Sequence, residues 1–233
     1  PEGKKGTGRD KVKKTDIAVI SFTYRGAELA EHIQEAMDAV WSCKLYTKCS
    51  DARAEGIGIP VEQPLAEWTG KQFAAGNALL FIGACGIAVR SIAPHVKDKL
   101  SDVPVLVADE VGQFVIPLLA GHYGGANRLA GELSRALGAT AVLTTATDVN
   151  GLFAVDVFAA TNRLAVAGHD GIARVSAGLL RDGYLTMSVA GECEGEIPPE
   201  VRLVPYPPKE PVDVLVAPQC EAGERCSLWL IPS

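Results

Sequence analysis

The stretch "NALLFIGACGIAVRSIA", residues 77–93, decides the fold class. Its apolar run, "NALLFIGA" (77–84), reads as a central strand, because a strand with one wet face alternates instead. After a glycine-marked connection, "GIAVRSIA" (86–93) takes helical spacing and stops before Pro94, whose ring and missing N–H cannot continue a helix. A central strand that hands over at once to a helix is the repeating unit of an α/β sandwich.

The same alternation extends outward. "DIAVISF" (16–22) is a second buried strand, and "GAELAEHIQEAMDAV" sets Leu29, Ile33, Met37 and Val40 on one helical face. "CKLYTK" (43–48) reads as a short strand and the segment around Trp68 as irregular. "VPVLVAD" (103–109) is a further strand with "QFVIPLL" (113–119) as a hairpin partner. A helix from Ala126 turns Leu129, Ala130, Leu133 and Leu137 inward, and "ATAVLTT" (139–145) completes the set. Past the turn-rich "TDVNG" (147–151), helical segments at 152–163 and 170–181 precede the short strands "YLTMSV", "VRLVPY", "VDVLVA" and "SLWLIP". The expected architecture is therefore an α/β domain over 16–148, a largely parallel sheet with flanking helices. A smaller α+β domain follows over 149–233, and a disordered basic tail, 1–15, precedes both.

Composition narrows the function classes. A chain of 233 residues with 48% hydrophobic and 21% charged residues matches a globular protein. No apolar run approaches the ~18 residues that would span a membrane, and the first residues lack the apolar core of a secretory signal. A cytoplasmic location is expected, with Cys43, Cys49, Cys85, Cys193, Cys220 and Cys226 as reduced thiols. No Cys-x-x-Cys pair occurs and His32, His95, His122 and His169 are scattered, so no protein-bound metal is expected. The net charge is −6, and since residues 1–15 carry +4 the remainder carries −10. Nucleic acid and membrane surfaces are therefore not expected as partners.

One stretch asks for a ligand. "AGHYGGAN" (120–127) sets glycines and His122 at the mouth of a helix, where unpaired N–H groups and the dipole favour an anion. The competing reading is a tight strand-to-helix connection with Asn127 as N-cap. "GACGIAVR", "ADE" (108–110) and "TTATD" (144–148) are expected to follow strands at the sheet's carboxyl edge, where open α/β sheets bind ligands. Taken singly, Arg90 suits a helix end, Asp109 a hairpin turn and Asp148 the start of another turn. Gly-x-Gly-x-x-Gly after the first strand, a Walker lysine and Gly-x-Ser-x-Gly are all absent. Residue logic thus reaches an α/β protein that binds an anionic ligand, with His122 as a candidate base.

Residues 82–156, "IGACGIAVRSIAPHVKDKLSDVPVLVADEVGQFVIPLLAGHYGGANRLAGELSRALGATAVLTTATDVNGLFAVD", resemble the CbiG family of cobalamin (vitamin B12) biosynthesis, the cobalt-precorrin-5A hydrolases. The resemblance is carried by Gly-His-x-Gly-Gly-Ala-Asn (121–127) paired with Thr-Thr-Ala-Thr-Asp (144–148), and a weaker match reaches upstream through "IAVISFTYRGAELAEHI". It implies an enzyme of the anaerobic pathway that opens the δ-lactone of cobalt-precorrin-5A with release of acetaldehyde. It also implies a tetrapyrrole substrate that carries its own cobalt and no separate cofactor. A further C-terminal domain outside these residues and other cobalamin-pathway enzymes are the implied protein partners.

Lactone opening needs a base for water and donors for the developing oxyanion. On this reading His122 is the general base, oriented by Asp148 or Asp109. Amides of Gly124, Gly125 and Ala126 hold the oxyanion or a rim carboxylate, with Gly121 and Asn127 completing the cradle. Thr144 and Thr145 bind substrate oxygens, and Arg90, Lys97, Lys99 and Arg128 supply positive charge. Two alternatives stay open: a corrinoid-binding module that needs the C-terminal domain for activity, and a phosphate- or nucleotide-binding α/β enzyme.

Overall fold

The structure, a computed structural model, describes residues 14–98, 101–121, 124–168, 170–220 and 226–232. Residues 1–13 of the expected tail, Lys99 and His122 lie outside the described residues. The chain divides into two compact units. One runs to Leu119 and includes Leu129–Ala141; the other comprises Ala120–Arg128 and the chain from Val142 onward.

The first unit alternates strands and helices: β1 (Thr15–Ser21), α1 (Tyr24–Met37), β2 (Trp41–Thr47), α2 (Ser50–Ala54), β3 (Ile59–Pro60), α3 (Leu65–Ala75), β4 (Ala78–Ile82) and α4 (Cys85–Ile92). It continues with β5 (Val105–Ala108), β6 (Phe114–Leu119), most of α5 (Ala126–Leu137) and β7 (Thr140–Ala141). The seven strands lie in the order β3-β2-β1-β4-β5-β6-β7, and every pairing is parallel except β5–β6. The apolar run of residues 78–82 is buried throughout, as a strand between β1 and β5 must be. At β6 the chain returns antiparallel to β5. Its Pro117 faces Leu106, next to a register shift between Val105 and Leu106, in keeping with a residue that cannot donate to the ladder.

Local readings needed three corrections here. Trp68 is helical, in α3, and 2% exposed, with its ring edge-on to Tyr46 and Phe81. Val40 lies beyond α1 and is 49% exposed; the buried face is Gly26, Ala27, Ala30, Ile33 and Met37, of which the first three are small enough to let the helix approach the sheet. Of "ATAVLTT" only Thr140 and Ala141 pair, opposite Phe114 and Val115, after which the chain leaves the sheet.

Around the junction of β1, β4 and β5 the carboxyl-end loops hold one another. Thr23 caps α1 by accepting from the Gly26 amide at 3.0 Å, and its hydroxyl donates to Glu110 at 2.7 Å. The Phe22 ring lies 3.2 Å from where a side chain on Gly83 would begin.

The second unit contains α6 (Ala146–Val149), α7 (Val155–Thr161), β8 (Leu164–Ala167), α8 (Asp170–Asp182), β9 (Leu185–Val189), β10 (Val201–Val204), β11 (Val212–Val216) and β12 (Cys226–Pro232). Its five-stranded mixed sheet has the order β10-β9-β11-β12-β8, with only β12–β8 antiparallel. α8 buries Ile172, Val175 and Leu179 at helical spacing. Between β9 and β11, Thr186 donates from its amide and hydroxyl to Asp213 at 2.8 Å each, and the Asp213 amide donates back to the Thr186 hydroxyl at 3.0 Å. Among the described residues no helix is long and apolar enough to cross a membrane.

Candidate functional site

The glycine-rich segment begins where β6 ends. Ala120 takes a positive φ of 54°, and the Ala126 and Asn127 amides donate back to the carbonyls of Ala120 at 3.1 Å and Gly121 at 2.9 Å. The segment therefore closes on itself ahead of α5. Two of its glycines are demanded by that closure. A Cβ on Gly124 would come within 2.9 Å of the Ala120 carbonyl oxygen, and Gly125 has a φ of 86°. The Ala126 amide, expected to face a ligand, is taken up by Ala120 instead. For Gly124 and Gly125, no backbone acceptor occurs among the described residues.

Asn127 is not an N-cap. It is the second residue of α5, and its side-chain amide donates to Thr145 Oγ1 at 3.0 Å and to Asp148 Oδ2 at 2.6 Å. The bond to Asp148 is of the short, charge-assisted kind. Thr145 accepts from Asn127 and keeps its own hydroxyl proton as a donor. Thr144 beside it is exposed. The Arg128 guanidinium reaches over the loop, its Nη2 3.7 Å from where a Gly125 Cβ would lie. Glu200 had no signal in the sequence. Its carboxylate accepts from the Phe153 amide at 2.5 Å and so holds the chain that leaves α6.

Gly121, Gly124, Gly125, Asn127, Arg128, Thr144, Thr145 and Asp148 all belong to the second unit. Arg90 and Asp109 belong to the first and have partners there. Arg90 Nη1 donates to the Gly86 carbonyl at 3.3 Å. Asp109 accepts from the amides of Val111 at 3.1 Å and Phe114 at 2.6 Å, closing the β5–β6 turn. The same hairpin corrects the expected gathering of loops at one edge. Ala108 pairs with Val115 and Val105 with Leu119. The carboxyl ends of β6 and β7 therefore lie at the opposite edge of the sheet from those of β1, β4 and β5.

The chemistry on offer is a carboxylate, Asp148, held in one orientation beside hydroxyl and amide donors. Among the described residues no group of three metal-ligating side chains converges.

Fold and site together define a two-unit α/β protein whose glycine-closed helix entry is tied to a Thr-Thr-Ala-Thr-Asp turn. Residues 67–148 match the family described as cobalamin synthesis G N-terminal, CbiG. The chain is 45% identical to the cobalt-precorrin-5A hydrolase of Salmonella typhimurium over 148 residues, 64% of this chain and 40% of that protein. It is 34% identical to the enzyme of the same name from Priestia megaterium over 155 residues, 63% of this chain and 39% of that one. A crystal structure described as a cobalamin biosynthesis protein G homolog from Sulfolobus solfataricus shares the fold with a TM-score of 0.55 at 20% identity. That match covers 93% of this chain and 60% of the other. The chain is thus similar to the N-terminal and central part of CbiG proteins, and it spans about two fifths of the length of these curated relatives.

Proposed function

We propose that this chain carries the lactone-opening site of a cobalt-precorrin-5A hydrolase. The observation that supports this most directly is the Asn127 bridge. It joins the glycine motif to Thr145 at 3.0 Å and Asp148 at 2.6 Å, so the two motifs that resemble the family meet in space. In the reaction, water adds to the lactone carbonyl, the ring C–O bond breaks to leave a carboxylate, and the two-carbon unit departs as acetaldehyde. His122, by its place in the motif, takes the proton from water, and Asp148 orients it. The Gly124 and Gly125 amides with the Thr145 hydroxyl stabilise the oxyanion. Arg128 and Thr144 meet carboxylates on the substrate rim, which a body of net charge −10 would otherwise repel. Asp109 and Arg90, engaged within the first unit, take no part.

A second reading, a corrinoid-binding module completed by further chain, is favoured by one fact: the relatives named as hydrolases are matched over only about 40% of their length. Incubating the purified chain with cobalt-precorrin-5A and assaying acetaldehyde separates the two. Turnover supports the hydrolase. Saturable binding without acetaldehyde supports the module, and absence of both binding and turnover overturns the corrinoid reading altogether.

A further inference from the structure

Asp148 stands on a support too short to hold it. α6 (Ala146–Val149) is a single turn, and a helix that short does not persist on its own bonds. Its far end is closed locally: Gly151 has a φ of 63°, and the Leu152 amide donates back to the Thr147 carbonyl at 2.9 Å. The next amide is fixed from 47 positions away, where Phe153 donates to the Glu200 carboxylate at 2.5 Å. Glu200 is itself fastened to the sheet of the second unit. Its backbone carbonyl accepts from the Leu185 amide at 2.9 Å, and the following residue, Val201, pairs with Leu185 where β10 meets β9. Asp148 is therefore held from two sides, at its carboxylate by Asn127 and through its backbone by Glu200.

On the reading that Asp148 serves the lactone-opening site, we propose that Glu200 is a positioning residue for it. Through the Phe153 amide and the α6 turn, Glu200 sets where the Asp148 carboxylate stands relative to Asn127. Its own part is confined to accepting one N–H, which any side-chain oxygen of the same reach can do. A misplacement of about 1 Å at a reacting group, caused far from the chemistry, can cost about a hundredfold in rate. Loss of the Glu200 contact should therefore appear in turnover. Substrate affinity should change little, because Arg128 and Thr144, which meet the substrate rim, lie outside the turn that Glu200 holds.

The test compares Glu200→Ala and Glu200→Gln with the wild-type full chain. Glu200→Ala should lower kcat for acetaldehyde release about ten- to hundredfold with KM within about threefold, and Glu200→Gln should bring kcat back to within about threefold of the wild type. An unchanged kcat in Glu200→Ala, or a loss that Glu200→Gln does not repair, overturns the proposal. A second readout is independent of turnover. In NMR spectra of the isotope-labelled chain, the side-chain amide of Asn127 should shift in Glu200→Ala and return in Glu200→Gln. An Asn127 signal that Glu200→Ala leaves in place overturns the proposal. A wild type that releases no acetaldehyde, in a set of variants that shows the shift and its return, counts against the lactone reading and upholds the hold on Asp148. The wild type alone adds a check should Glu200→Ala fail to fold: its Phe153 amide should exchange at least about tenfold more slowly than in a free peptide. Exchange at the free-peptide rate overturns the proposal.

Discussion

Two passages from strand to helix, both marked by glycine, are built in different ways. From β4 to α4 the chain needs only Gly83 and Ala84. Gly83 donates to Ala108 at 2.8 Å and Ile87 to Ala84 at 3.0 Å, so the turn is held by backbone within the sheet. From β6 to α5 it takes six residues, 120–125, and its helix is tied by a side chain to Thr145 and Asp148, 18 and 21 positions away. The first passage is a device of the fold. The second ties an acid and a hydroxyl to the helix entry, which a fold alone does not require. That difference is why we assign chemistry to the second.

The sharpest way to break this contrast is kinetic. Replacing His122 by Ala should lower acetaldehyde release by about 10²–10⁴-fold, the usual share of a general base. Val89→Ala, on the 50% exposed face of α4, should leave it unchanged. Equal effects would erase the distinction. Next in size is packing: Leu80 in β4 is 0% exposed, and Leu80→Ala should cost about 2–5 kcal/mol in urea unfolding. A loss below about 1 kcal/mol would contradict its place at the sheet's centre. Asn127→Ala removes the side-chain amide that donates to Thr145 and Asp148 and should cost about 1–3 kcal/mol. A near-zero change would mean that the bridge carries no weight. Thr23→Ala, which removes the α1 cap, should cost about 0.5–2 kcal/mol by the same measurement.

The smallest effect is a pH slope. Burial first, and Asp38 second, push the Cys43 thiol from 9.0 up to about 11. A raised pKa means that the native state holds the proton longer than the unfolded one. Its contribution is present below about pH 9 and lost as pH rises toward 11. Cys43→Ala should flatten the fall in stability across that window, and an unchanged slope would remove Cys43 as its source.

Legibility in the sequence followed the range of the interactions. Residues 78–82 and 16–21 declared themselves by continuous apolar runs, since burial on both faces leaves a one-dimensional trace. α5 did so through Leu129, Ala130 and Leu133, all 0% exposed. Trp68 was lost among prolines and glycine, although its burial comes from Tyr46 and Phe81 on separate strands. At the site, the glycines and Asp148 were visible as residues to question, but not what they touch. The use of the Ala126 amide by Ala120 follows from a positive φ at a non-glycine residue, which composition does not announce. Glu200 reaches Phe153 across 47 positions, and no local rule spans that distance.

The hydroxyl of Thr23 bears on a nucleotide bound beside the first strand, away from the glycine-rich helix mouth. In doubly wound proteins the crevice beside the first strand receives a pyrophosphate. Here that berth is latched: Thr23 is bonded to Glu110, and the Phe22 ring lies close to Gly83. An incoming phosphate would have to unfasten the latch and settle beside a carboxylate. A dinucleotide cofactor therefore finds its customary doorway bolted from within.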